Sequence, residues 1–430
     1  MILKNNRATG ISISLFLLVV YLLAACGTSP NLLPVPFLPA ISTLTPFQPQ
    51  VAGQQNIDAS TLSPLLEPTY TPYPTRYVNS ENLSAPVQAV PTVGSAGLDT
   101  SLLTTYDPLT GLPVSDPSRL ERRPMAIKVA NSPDYVRPQS SLTLADVVYE
   151  YYIEWGDSRF IAIMYGNDSP MVGPVRSGRY FDEHVARMYN AFLVFKYADP
   201  REYSYLKGST LNEFLIVPGA SSCPPFVIGP EKRDTYNNFF FNTAKWAACA
   251  ARRGVDNTRP ALRGGFFSED PPASDLAVTG IYTEFSRYNY NYWEYDPVTH
   301  KYFRYQEAND MVNGKPEAYT PLSDLQTGLP VTADNVVEIF VPYIFMNENE
   351  AHDQVYHIEL VDSGNAYVFR DGVALPAKWN RIAENQPILL TTLDGNPIFM
   401  HPGRTFYEVI GSTSTYTQHG TDWKFHFATP

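Results

Sequence analysis

Beyond residue 105 the apolar positions fall into short runs divided by turn chemistry, and most runs have the length and composition of strands. Residues 125–130 (MAIKVA) form a continuous apolar run, which predicts a buried strand closed by Asn131, Ser132 and Pro133. Residues 147–154 (VVYEYYIE) and 159–165 (RFIAIMY) are rich in β-branched and aromatic residues. The four residues between them, Trp155 to Ser158, predict a hairpin. Glu154 and Arg159 then flank its turn as a cross-strand ion pair. A further strand is predicted at 191–195 and a short helix at 200–207.

From Tyr180 the period changes. Phe181, His184, Val185, Met188 and Tyr189 recur at spacings of three and four, as on one face of a helix. Ser177 is the expected N-cap, with Arg176 and Arg179 beside it. A helix start exposes unpaired N–H groups, and two guanidinium forks beside it make a cradle for an oxyanion, phosphate or carboxylate. Salt bridging of the arginines to Asp182 and Glu183 is the equal alternative.

After residue 275 helical periodicity is scarce. Strands are expected at 281–285, 288–295, 301–305, 336–342, 356–361, 365–370, 397–400 and 402–410. The clustered Tyr residues of the second and third predict cross-strand aromatic packing, with sugar stacking as the lesser possibility. The expected fold is therefore α+β or α/β. A mixed α/β domain at 106–270 is followed by a smaller β-rich domain at 275–430.

The N-terminus does not belong to this pattern. Lys4 and Arg7 precede an apolar stretch at 11–23 and then Leu23-Ala24-Ala25-Cys26-Gly27. This resembles a bacterial lipoprotein signal, with residues 1–25 cleaved and Cys26 carrying the lipid. Residues 26–105 hold 12 Pro, 19 Ser or Thr and five charged residues, as in a disordered tether. The expected location is the outer side of the cell membrane, lipid-anchored. Of three Cys, lipidation leaves Cys223 and Cys249, which outside the cytoplasm predict a disulfide, with two separate thiols as the alternative.

Charge narrows the partners. From residue 106 onward, 28 Lys plus Arg face 39 Asp plus Glu, an acidic balance of −11 that argues against nucleic acid. Neither Gly-x-Ser-x-Gly, His-Glu-x-x-His nor a phosphate-binding Gly-rich loop occurs. No catalytic residue, cofactor or metal is assigned, and the spacing of His352, Asp353 and His357 matches no metal-site class. Glu150, Glu154 and Asp157 could supply the acid/base carboxylates of a glycan hydrolase, and Glu150 and Glu154 fall on one expected strand face.

Several of these segments together carry a resemblance. Pro108-Leu109-Thr110-Gly111, Arg137-Pro138-Gln139-Ser140, residues 145–150 (ADVVYE), Arg159-Phe160 and residues 173–179 (GPVRSGR) resemble the YerB-like lipoproteins of bacteria. So do Tyr295-Asp296, Arg304-Tyr305, Trp379-Asn380-Arg381 and Pro402-Gly403-Arg404-Thr405-Phe406. The resemblance implies an envelope lipoprotein with two domains of unknown function, and it brings no established activity. The resulting expectation is a non-catalytic binding or adaptor protein. Arg176, Ser177 and Arg179 would hold an anionic ligand or a cell-wall assembly partner, with Lys128, Arg137 and Glu150 as further candidates. A glycan hydrolase using Glu150 and Glu154, or a scaffold without a small ligand, are the alternatives.

Overall fold

The computed structural model describes residues 105–428, apart from 220, 230–233, 235, 264 and 347–353. The signal segment, Cys26, the tether, His352 and Asp353 lie outside the described residues.

Strands β1 (Met125–Ala130), β2 (Val147–Tyr152) and β3 (Ser158–Met164) form where the apolar runs predict them. β2 and β3 make the expected hairpin. β4 (Phe192–Val194) and β5 (Leu215–Ile216) continue the sheet beside β1. β6 (Phe226–Ile228) and β7 (Phe239–Phe241) pair with each other. β8 (Gly280–Glu284), β9 (Tyr290–Asp296), β10 (Lys301–Glu307), β11 (Tyr319–Pro321) and β12 (Thr332–Ala333) follow. After β13 (Asn335–Val341), the pair β14 (Tyr343–Phe345) and β15 (Tyr356–Ile358) forms a small sheet. The described strands end with β16 (Ser363–Arg370), β17 (Val373–Asn380), β18 (Leu389–Thr392), β19 (Thr405–Gly411), β20 (Thr415–His419) and β21 (Asp422–His426).

The strand expected at 397–400 does not form. Pro397 makes an isolated bridge to Thr391, and Met400 another to Phe267. A proline has no N–H to give a ladder, so the segment stops at single bridges.

Two sheets organise most of these strands. The larger has ten strands in the order β18-β17-β16-β13-β19-β2-β3-β1-β4-β5. The smaller contains β11-β10-β9-β8-β21-β20, with β12 also paired to β10. The larger sheet takes strands from both sides of the boundary expected near residue 270: β19 and β2 lie side by side in parallel. Its strands β1, β2, β4, β5, β13 and β19 share one direction. All residues of β1, β2, β3, β13 and β19 are buried, which is why their sequences read as unbroken apolar runs rather than alternating ones.

The molecule is mostly β, with few helices, about 15% of it helical. The mixed α/β expectation for the first segment therefore overstates its helix. The described α-helices are α1 (Tyr180–Met188), α2 (Pro200–Gly208) and α3 (Trp246–Arg253). None is long and apolar enough to cross a membrane. α1 covers one face of the larger sheet, where the Phe181 ring meets Tyr151 edge-on at 4.8 Å. The other face meets the smaller sheet, where Trp293 packs on Phe406 at 4.8 Å. Cys223 and Cys249 are bonded, with Cα atoms 5.6 Å apart.

Candidate functional site

The basic turn lies at the carboxyl ends of β1, β2 and β4, which share one direction although antiparallel β3 runs between β2 and β1. Backbone bonds hold it there: Arg176 N donates to Lys128 O at 3.0 Å, and Lys196 N donates to Arg176 O at 2.9 Å. Gly178 N donates to Tyr197 O at 2.9 Å. A Cβ on Gly178 would come within 2.9 Å of the Phe195 ring, so close backbone approach is the reason for glycine here.

The helix cap differs from expectation. Arg179, not Ser177, is the N-cap residue of α1, and Asp182 Oδ2 accepts from Arg179 N at 2.8 Å. Ser177 instead lines a cavity of about 390 Å³, together with Glu154, Trp155, Arg179, Tyr197 and Glu202.

The ion pairs are also rearranged. Glu154 pairs with Arg179 through two contacts, one at 2.9 Å from Nε, and not with Arg159. Arg179 Nη1 lies 3.7 Å from Glu202. Burial pushes the Glu202 carboxyl up to about 7. Arg159 donates to Ser158 O at 2.9 Å and lies 3.8 Å from Asp157. Burial and the nearby Arg176 push its guanidinium down to about 10. Arg176 donates to Asn237 Oδ1 at 2.9 Å, while its Nε is buried without a hydrogen-bond partner among the described residues. Three guanidinium groups thus converge on one sheet end, and Arg159 and Arg176 are the least compensated of them. Sequence reasoning missed Arg159, because the hairpin register alone assigns it to Glu154.

The remaining candidates are structural in their surroundings. Lys128 is buried under α1, bonded to Asp182 at 3.1 Å and to Tyr151. Burial pulls its ammonium down to about 7. Arg137 donates to Asn131 O at 3.0 Å and pairs with Glu307. Glu150 is fully buried between the sheets, where Asn131, Ser158, Asn291 and Arg304 all donate to it. It belongs to a row: Glu338 lies opposite Glu408, and Glu408 opposite Glu150, across three adjacent strands.

Glu150 and Glu154 do not form the carboxylate pair expected of them. β2 ends at Tyr152, so Glu154 lies beyond the strand and turns to Arg179, while Glu150 points between the sheets. His357 lies 5.4 Å from His184, ring to ring. Among the described residues no group of three or more His, Cys, Asp or Glu side chains could hold a metal ion.

Comparison with known proteins agrees with this architecture. Residues 109–256 match the N-terminal domain, and residues 281–407 the C-terminal domain, of a family described as protein of unknown function (DUF3048). The chain is 24% identical over 313 residues to the protein named "Putative lipoprotein YerB" of Bacillus subtilis (strain 168), covering 70% of this chain and 85% of that one. The crystal structure of YerB from Bacillus subtilis superimposes with a TM-score of 0.59 at 22% identity, covering 71% of this chain and 96% of that one. The chain belongs to this two-domain family of unknown function, alongside YerB.

Proposed function

We propose that the chain is a non-catalytic extracytoplasmic lipoprotein that binds an anionic envelope ligand, or a carboxylate-bearing partner, at the Arg176–Arg179 turn. In this reading the lipid on Cys26 anchors it to the membrane and residues 26–105 space the binding end from the bilayer. The observation that supports it is the convergence of Arg159, Arg176 and Arg179 at one sheet end, where Arg179 lines an open cavity and Arg176 Nε is unpartnered among the described residues. Guanidinium forks in a partly desolvated setting favour carboxylate and phosphate. Lys128 and Glu150 drop out of the binding set, since neither is accessible.

Thermal unfolding of the full chain in detergent, against muropeptides, polyprenyl phosphates, teichoic acid fragments and inorganic phosphate, tests this. A ligand at 100 times its dissociation constant adds about 2.7 kcal/mol. The expected result is a raised melting temperature that Arg176→Gln abolishes. Arg179 is unsuitable for the test, because its loss would also leave Glu154 unpaired. No shift from any compound, or a shift that Arg176→Gln leaves intact, would overturn the reading.

A further inference from the structure

Two aromatic side chains in the cavity wall are held in water at an energetic cost. Trp155 is 58% exposed and Tyr197 is 59% exposed, and both line the same cavity. Both also sit at positive φ, 59° and 65°, where bulky L-residues are disfavoured. Propensity would place Gly or Asn at each position, and the hydrophobic effect would bury each ring. The other four Trp of the chain are all at most 2% exposed. Backbone strain on exposed aromatics that share a cavity points toward function.

A third observation is independent of the rings. Glu202 lines the same cavity and is 1% exposed. Its Oε1 is buried without a hydrogen-bond partner among the described residues. An orphaned buried acceptor costs free energy unless a ligand satisfies it.

We infer that this cavity holds a sugar ring of an envelope glycan, stacked against Trp155 and Tyr197, with a ring hydroxyl donating to Glu202 Oε1. The inference goes beyond the anion reading above: it assigns a ligand class of its own to the cavity beside the basic turn. The negative face of an aromatic ring attracts the C–H edge of a sugar. Every hydroxyl both donates and accepts, so a sugar needs a wall of both kinds. Glu154, Asp199 and Glu202 supply acceptors, and Ser177, Arg179 and Arg201 supply donors. A bare anion would meet three carboxyl groups there, and an alkylammonium would meet two guanidinium groups. The volume, about 390 Å³, falls within the range of ligand sites, roughly 300–1,000 Å³.

Trp155 gives a direct readout, because it is the one exposed Trp. The full chain in detergent is titrated with oligomers of N-acetylglucosamine, a disaccharide muropeptide, choline chloride and sodium phosphate, following Trp emission. The expected result is a saturable blue shift with a saccharide. The two saccharides distinguish bare glycan from its peptide-bearing form, and either response supports the inference. Tyr197→Gly should weaken binding roughly tenfold with an unchanged or higher melting temperature, since glycine relieves the positive φ. Glu202→Met should weaken binding and Glu202→Gln restore it. No response to either saccharide, a response to choline alone, or saccharide affinity unchanged in Tyr197→Gly would overturn the inference. A phosphate-dependent melting shift removed by Arg176→Gln, without a saccharide response, would overturn it while leaving the anion reading standing. A saccharide response without any anion-dependent shift would do the reverse.

Discussion

Arg304 Nη1 donates to Glu408 Oε1 at 2.9 Å across the interface between the two sheets, and both side chains are fully buried. The same guanidinium pairs with Glu150 through Nη2. Trp293 Nε1 also donates to Glu408 Oε1, at 2.9 Å, and Thr283 donates to Glu338 Oε1 at 2.5 Å. One cation therefore bonds two of the three carboxyl groups in the row, and Thr283 bonds the third. Its place on β10 makes it the charged member of a polar layer between the sheets.

Removing that cation leaves the buried carboxyl groups of Glu150 and Glu408 without their positive partner, and breaking a buried pair in this way typically costs 3–5 kcal/mol, about a third or more of an ordinary domain's stability. Arg304→Met is expected to lower the urea midpoint accordingly. Adding Glu150→Gln and Glu408→Gln to it should recover part of the loss, because the stranded charges are gone. A wild-type midpoint for Arg304→Met alone would show that the row does not hold the sheets.

Glu408 makes the interface sensitive to pH. Burial, and then the neighbouring Glu150, push its carboxyl up from 4.5 to about 8. The folded state therefore holds the proton more tightly than the unfolded state. The stabilisation is fully present below about 4.5 and is lost as pH rises through about 8, at up to about 1.4 kcal/mol per unit. Glu408→Gln keeps an acceptor for Trp293 and Arg304 and removes the titration. Its melting temperature should gain on that of the wild type steadily from pH 5 to pH 8. A constant difference across that range would refute the assignment.

The disulfide closes a loop between positions 26 apart. In the chain-entropy model such a loop contributes about 3–4 kcal/mol by restricting the unfolded chain. Cys223→Ser with Cys249→Ser should lower stability by about that amount, and reductant should no longer affect the melting temperature. Unchanged stability in the double variant would mean that the bond constrains little.

Gly403 is fixed by its surroundings. Its φ is 146°, and a Cβ there would overlap the Asp334 carboxyl group. Asp334 Oδ2 accepts from Arg404 N at 2.7 Å, and Arg404 in turn donates to Ala145 O and Thr332 O, each at 2.8 Å. Gly403→Ala must displace Asp334 and loosen this connection. A loss of about 2 kcal/mol or more is expected, as for other substitutions at strained backbone positions, measured by chemical unfolding. Wild-type stability would contradict the close approach.

Most strands are legible in the sequence because apolar runs, β-branched residues and turn chemistry are local signals. The hairpin at 147–164 and the helix from Tyr180 follow from period and spacing alone. β5, β6, β7, β11, β12, β14, β17, β18, β20 and β21 escape that reading, six of them because they span only two or three residues. β17 carries Pro376 and Lys378 between its buried positions, and β20 is largely exposed. In neither case does a clean alternation mark the strand.

What the sequence by itself determined is the main apolar strands, the basic turn and which two cysteines were left to pair. Their residues are near in sequence or few enough to leave little choice. Only the tertiary structure decided which charges meet. Glu154 turned from Arg159 to Arg179, Glu150 went to Arg304 from a strand 154 positions away, and Lys128 was sealed beneath α1. Such partnerships depend on which face a strand turns inward and which strand lies beside it. A parallel neighbour such as β19 beside β2 is joined through a long connection, so no local pattern encodes it.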